Sequence, residues 1–421
     1  MDRNSRKHRT LVNVELKNIK AHDISAASLG LVLALLCFNQ KVLPLLIAIW
    51  VLASLYACIK TRNSFELNTR MLLLPALFLL LLVGVGWSEN KETAWFDLEV
   101  KMTFMIVPLL FMYLKYQLHH FVLILRFFVL GTIAAVLYLL IRATIQFILT
   151  GELSSLMYYQ LGGNIHPAYL SYYVNTAIIF IFLDYRGRQL SIFPKGWQYI
   201  ASVALFSVFS VLLMSKNGII TTGLLGLFFL IHLWRKGYWK WVSLAVLGMG
   251  VSFGVLYKKS VYVQDRLDDL IFGFAEGSTD KWLESSTMRM VIWENGLVVY
   301  KDSPLIGHGT GDVKDVLFKQ YQADNAQRLV DLNLNAHNQF LQTGIAVGIV
   351  GVGLLAVALF IPLVKVRRNM AFCALFSLIT FIFFMTESVL ETQTGVLGFV
   401  FFLTLTYYLE QVLRNSTLTI S

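Results

Sequence analysis

Charged residues are scarce. Asp, Glu, Lys and Arg make up 14% of the 421 residues while 57% are hydrophobic, against about a quarter charged in soluble domains. That balance excludes an ordinary soluble enzyme. Cysteine is nearly absent: Cys37, Cys58 and Cys373 each sit in an apolar run without paired spacing, so neither a disulfide framework nor a zinc pattern is available. The polar and apolar alternation of a membrane barrel is missing too, because runs such as Met71 to Trp87 are continuously apolar. No internal repeat, low-complexity tract or soluble second domain is visible. The net charge of +10 is dispersed over short loops rather than gathered in one patch, which argues against a nucleic-acid partner.

What is present is a series of apolar runs, each near the roughly 20 residues that cross a bilayer as a helix. They fall at about 24–40, 42–59, 71–87, 102–114, 121–149, 167–184, 197–214, 218–234, 239–256, 337–364, 370–386 and 395–413. The reading is an all-α polytopic membrane protein of about twelve transmembrane helices. Lys and Arg crowd alternate loops: Arg3 to Lys20, Lys60 to Arg70, Lys115, Arg186 to Lys195, Arg235 to Lys240, Lys365 to Arg368, and Arg414. By the positive-inside rule these loops and both termini are cytoplasmic, and the basic residues meet anionic lipid headgroups. The N-terminus has no cleavage pattern and is expected to be retained.

The same rule puts five segments outside: 88–101, 150–166, the Ser215-Lys216-Asn217 turn, a long polar loop at 257–335, and 386–394. Three regions follow: an N-terminal membrane region at 1–256, the loop as a helical subdomain at 257–335, and a C-terminal membrane region at 336–421. The clearest helix of the loop runs from Thr287 to about Lys301, with Met290, Trp293, Leu297 and Tyr300 as an apolar stripe and Arg289 one turn before Trp293.

The chemistry gathers on that outer face. His337 stands where the long loop re-enters the membrane, followed by Asn338. Arg289 and Lys216 lie on the same side, and an ion such as Lys216 in an apolar helix pair is a functional candidate. A histidine base with two fixed cations suits sugar transfer from a diphosphate-linked lipid. The cations stabilise the charge of the leaving group, and the histidine takes a proton from an acceptor hydroxyl. Neighbouring cations disfavour a charged imidazole. The scheme needs neither metal nor cofactor.

Other positions carry two readings each. Gly307-His308-Gly309-Thr310-Gly311-Asp312 follows a helix, not a strand, so it reads as a turn before an anion nest. Asp265, Asp268 and Asp269 suit an exposed helix face better than a cation site. Glu387 and Glu391, one turn apart, either pair with the cations or orient an acceptor sugar. His166-Pro167 marks a helix entry, with Tyr169 and Tyr172 as an alternative sugar-stacking surface. Arg126, Arg142, Asp184 and His232 would suit a transport path.

His337-Asn338 followed after nine residues by Gly348 and then Gly351 resembles the signature of the O-antigen ligase family, which shares its core with O-antigen polymerases and bacterial O-oligosaccharyltransferases. Ser286-Thr287-Met288-Arg289 with Trp293, then Ser303 to Gly309, resembles the segment preceding that histidine. Glu387-Ser388 with Glu391-Thr392-Gln393 and Gly395 resembles the last outer loop. The resemblance implies a metal-independent, inverting transferase in the bacterial inner membrane. Its donor would be a glycan on undecaprenyl diphosphate, and its acceptor a lipid A-core sugar at the periplasmic face. It casts His337 and Arg289 as catalytic and Arg289 with Lys216 as diphosphate-binding, Lys216 standing where the family usually has Arg. Asn338, Glu387, Glu391, Trp293 and His166 follow as acceptor-binding or structural residues. The expected activity is ligation of O-antigen; polymerase, protein glycosylation and lipid transport are the alternatives.

Overall fold

The computed structural model describes residues 21–38, 40–187, 192–240, 286–363 and 371–418, with isolated positions between 243 and 264. Most of the ninth expected span, and Asp265, Asp268 and Asp269, lie outside the described residues. Among the described residues every regular element is helical: α1 (Ala21–Ala34), α2 (Leu43–Thr61), α3 (Leu73–Gly84), α4 (Lys91–Lys101), α5 (Thr103–Tyr113), α6 (Leu118–Thr150), α7 (Tyr158–Gly162), α8 (Pro167–Gly187), α9 (Gly196–Leu212) and α10 (Lys216–Arg235). Then come α11 (Ser286–Asp302), α12 (Val313–Ala323), α13 (Gln327–Asp331), α14 (Gln339–Phe360), α15 (Ala371–Thr386) and α16 (Gln393–Leu418).

Five of these helices, α2, α6, α10, α14 and α16, are long and apolar enough to cross a membrane, and five shorter apolar helices accompany them. The result is a polytopic bundle; the count of twelve spans stays an expectation. Helix α6 alone has 33 residues, about 50 Å at 1.5 Å per residue.

The centre of the bundle is α16, with 83% of its apolar window buried. A helix apolar on all sides belongs in such a place. The Phe402 ring lies 4.7 Å from Phe128, 5.9 Å from Phe180 and 6.1 Å from Phe376, so α6, α8 and α15 meet on it. Some buried polar side chains are paired between helices, as suits an apolar surrounding. Tyr172 donates to or accepts from Thr380 at 2.9 Å, and Tyr173 donates to the Thr394 carbonyl at 2.5 Å. Tyr172 is fully buried, so it offers no surface for sugar stacking.

The expected outer segments meet one another. Asp312 accepts from the backbone amides of Glu89 and Asn90 at 2.8 and 2.7 Å, and Lys101 pairs with Glu391 at 3.3 Å. The expected inner segments meet elsewhere. Arg70 pairs with Glu410, and Lys115 with Glu66. Asp23 faces His119 and His120 at 3.4 and 3.2 Å.

Helix α14 is broken. Val347 (φ −137°, ψ 22°) and Gly348 (φ 69°, ψ −166°) leave the helical region, and the turn at 303–309 inserts at the break. His308 and Gly309 donate their amides to the carbonyls of Ile345 and Ala346 at 2.8 and 3.0 Å, and Ile349 donates to Pro304 at 2.8 Å. The glycine-rich stretch is therefore a structural turn, and its amides here serve α14. On α11 the expected apolar stripe is displaced: Met290 and Leu297 are exposed, and Ile292, Asn295, Gly296 and Val299 form the buried side. Helix α11 is apolar on several faces, so packing against α14 selects the side.

Candidate active site

A cavity of about 240 Å³ opens among the expected outer segments. Its walls include Lys216, Arg289, His337, Glu387 and His166, with Tyr158, Tyr159, Ser215 and Asn217 beside them. Residues as far apart in sequence as Tyr158 and Glu387 thus share one space. It is smaller than the roughly 300–1,000 Å³ of pockets that engulf a whole ligand, so it suits the reacting groups and not an entire glycan.

His337 sits at φ 42°, a left-handed conformation that a side-chain-bearing residue adopts only when its surroundings impose it. Three contacts impose it. Its amide donates to Asn335 Oδ1 at 3.1 Å, and its carbonyl accepts from Trp293 Nε1 at 3.2 Å. Its Nδ1 faces Glu387 Oε2 at 3.3 Å, an ion-pair separation bent away from ideal hydrogen-bond geometry. Trp293 thereby holds the junction from below and does not line the cavity. Asn338 is the N-cap of α14: its Oδ1 accepts from Leu341 N at 3.0 Å, and its Nδ2 donates to the Met385 carbonyl at 3.1 Å. That cap satisfies an orphan amide at the helix start and leaves Asn338 in a supporting position.

Glu387 joins the two predicted catalytic residues. Its Oε1 accepts from Arg289 Nη2 at 2.7 Å while its Oε2 faces His337; Arg289 Nε also donates to the Thr386 carbonyl at 3.1 Å. Burial works against the charge of Glu387, yet His337, Arg289 and His166 more than offset it and hold the carboxyl down to about 2 from an ordinary 4.5. An ionised Glu387 favours the tautomer of His337 with its proton on Nδ1, which leaves Nε2 as the basic nitrogen. The charge nearest the imidazole is thus a carboxylate, with the Arg289 cation on its far oxygen. This departs from the expectation of cations alone.

That low value fixes a pH dependence. Its folded-state value lies below the ordinary one, so the carboxylate's contribution to stability is present above pH about 4.5 and is lost as pH falls toward 2. Glu387→Gln is expected to lower the melting temperature at pH 7 and to flatten its decline over that acid window, as a thermal-shift titration in detergent would read. An unchanged acid slope would remove Glu387 as the linked group.

Lys216 is the first residue of α10, just past the tight turn at Leu213 to Ser215. Helix N-termini favour anions, so a lysine there opposes local stability unless an anion is bound nearby. Ser215 caps the helix by accepting from Gly218 N at 3.3 Å. Behind it Asn175 donates to Thr221 at 2.8 Å, and Thr222 donates to Asn175 and Ser210 at 2.9 and 2.7 Å. A Cβ on Gly218 would lie 2.7 Å from Ser171, so α10 and α8 touch backbone to side chain here. This buried network, which fixes where Lys216 emerges, is absent from the sequence reading; its signal is the run of Ser, Asn and Thr inside apolar helices.

His166 caps α8: its Nδ1 accepts from Ala168 N at 3.2 Å, and its Nε2 meets the Tyr159 hydroxyl at 2.7 Å. Glu391 stands apart from the cavity, paired with Lys101. The candidates for a transport path have local partners. Arg142 donates to the carbonyls of Gln160 and Leu161 at 2.5 and 2.9 Å, and Asp184 accepts from Ile192 N and Tyr199 at 2.5 and 2.6 Å. Asp23, His119 and His120 are close enough to hold a metal ion. However, His120 Nδ1 accepts from Gln117 N at 2.8 Å, which puts the proton of a neutral ring on Nε2 and makes that atom a donor toward Asp23, not a ligand.

Long apolar helices thus surround a cavity lined by a histidine, a carboxylate facing it and two cations, a set of groups that suits group transfer. Residues 201–356 match the family described as O-antigen ligase. Over this segment the chain is similar to the O-antigen ligase family, the resemblance its motifs carry. The match contains Lys216, Arg289, His337 and Gly348, and ends before Glu387. An uncharacterized protein of Haemophilus influenzae is 29% identical over 83 residues, a stretch that covers 20% of this chain and 21% of that protein.

Proposed function

We propose that the protein is a lipopolysaccharide O-antigen ligase in the bacterial inner membrane, with both termini cytoplasmic and the cavity facing the periplasm. The donor is a glycan on undecaprenyl diphosphate and the acceptor a hydroxyl of the lipid A-core. The observation that carries the reading is the joining of His337 and Arg289 through one carboxylate in a cavity that also holds Lys216.

In this mechanism Arg289 and Lys216 hold the diphosphate and stabilise the charge that develops on it as the glycosidic bond breaks. His337 Nε2 takes the proton of the acceptor hydroxyl, whose oxygen attacks the anomeric carbon from the opposite face and inverts it. Glu387 orients the imidazole and stabilises the imidazolium that forms, as a third group does for other histidine bases. Two amino-acid cations supply the positive charge, so the scheme runs without a metal. Holding two lipid-anchored substrates at one membrane face supplies much of the acceleration.

The test is transfer by purified protein in detergent, given lipid-linked O-antigen and a lipid A-core acceptor. A high-mass lipopolysaccharide product that forms in EDTA supports the proposal. Arg289→Ala is expected to reduce it by about 10²- to 10³-fold, and Lys216→Arg to retain most of it. Lengthening of the lipid-linked chains with a bare core would instead identify an O-antigen polymerase.

A further inference from the structure

Lys101 is buried, 4% exposed, at the end of α4. It pairs with Asp97 one turn earlier on the same helix and with Glu391 at 3.3 Å in the turn between α15 and α16. A buried ion is costly, and apolar side chains of the same size would pack as well or better, so packing alone does not account for a lysine here.

The turn that Lys101 reaches is the one that carries Glu387. Two other bonds lace it to the His337 junction: Asn338 Nδ2 donates to the Met385 carbonyl at 3.1 Å, and Leu390 N donates to Gln339 Oε1 at 2.6 Å. Both come from α14. Arg289 on α11 ties the near end of the turn, at the Thr386 carbonyl and Glu387, and Lys101 on α4 ties the far end at Glu391, four residues past Glu387. Without Lys101 the far end of 387–391 rests on the bond from Leu390 to Gln339. Burial, with Glu391 adding to it and Lys101 opposing, pushes the Asp97 carboxyl up to about 6; the cluster holds two carboxylates for one ammonium.

We propose that Lys101 is a positioning residue for the transfer reaction: through Glu391 it fixes the turn that places Glu387 against His337 and Arg289, coupling α4 to the cavity. This rests on the transferase reading above. A displacement of about 1 Å in a catalytic group costs on the order of 10²-fold in rate, so loosening this turn should act on kcat. It should leave donor KM alone, because Arg289 keeps its bond to the Thr386 carbonyl at 3.1 Å and Lys216 is on another helix.

The experiment compares wild type with Glu391→Gln, with Lys101→Arg, and with the triple Lys101→Met, Asp97→Asn, Glu391→Gln, which removes all three charges and leaves no carboxylate unpaired. Glu391→Gln and the triple variant are expected to fold, as read by melting and gel filtration, yet to lose roughly 10- to 100-fold in kcat with donor KM within about twofold. Lys101→Arg, which still bridges both carboxylates, retains turnover. Wild-type kcat in the folded triple variant, or a change confined to KM, overturns the proposal. Amide exchange across 386–392 provides a readout independent of chemistry, and it should quicken in Glu391→Gln while 103–113 is unchanged. A wild-type protein that transfers nothing would sink the transferase reading, and unchanged exchange at 386–392 would separately sink the role of Lys101.

Discussion

Replacing His337 by Gln is expected to reduce glycan transfer by about 10²- to 10⁴-fold, the usual contribution of a positioned general base. The ion pair of Glu387 with Arg289 at 2.7 Å is made without the imidazole, so it survives and the fold is kept. What is lost is the nitrogen that accepts the hydroxyl proton. The effect should fall on kcat, with donor binding unchanged within about twofold, because the diphosphate is held elsewhere. The carbonyl of His337 is bonded to Trp293, and its amide to Asn335, and both bonds are indifferent to the side chain. Transfer kinetics of His337→Gln beside wild type decide the matter. Near-normal kcat with a raised KM would make His337 a binding group instead of the base.

Gly348→Ala is expected to abolish stable folding. A Cβ there would lie 2.1 Å from the Leu305 carbonyl oxygen and 2.3 Å from its carbon, at a φ of +69°. Backbone cannot step aside as a long side chain can. Either the turn at 303–309 withdraws, breaking the three amide bonds it exchanges with α14, or α14 straightens and carries His337 with it. The left-handed strain and the lost hydrogen bonds together amount to about 3 kcal/mol or more, a large part of a typical stability. Gly353→Ala, five residues along the same helix with nothing within 4 Å of its Cβ, is the matched control and should be neutral or slightly stabilising. Melting in detergent separates them; a Gly348→Ala protein that melts with wild type would show that the break in α14 has another cause.

The glycines at 348 and 351 entered the sequence reading as spacing only. At 348 the reason is a close approach of two backbones, which no local pattern discloses; at 351 a Cβ would meet the Val347 side chain, which the break in α14 has turned toward it. Asn338 is similar: beside His337 it reads as a site residue, yet in three dimensions it is a helix cap. Lys101 does not stand out in the sequence, because its partner Glu391 is 290 positions away. At Tyr172 burial decides between the two readings: the side chain packs into the bundle, which leaves the helix entry and removes the alternative of sugar stacking there.

The all-helical bundle was legible in the chain by itself, because it follows from a local quantity, the length of the apolar runs; the sidedness read from the charge of the loops stays an expectation. His337, Arg289 and Lys216 stood out as candidates as well, since an ion or an imidazole at the edge of an apolar helix is conspicuous wherever it is placed, and the three line one cavity. Only the tertiary structure decided which carboxylate serves the histidine, which side of α11 is buried, and how the turn at 303–309 breaks α14. Those are pairings between segments distant in sequence, and they are set by which surfaces pack together, a property that belongs to no single segment.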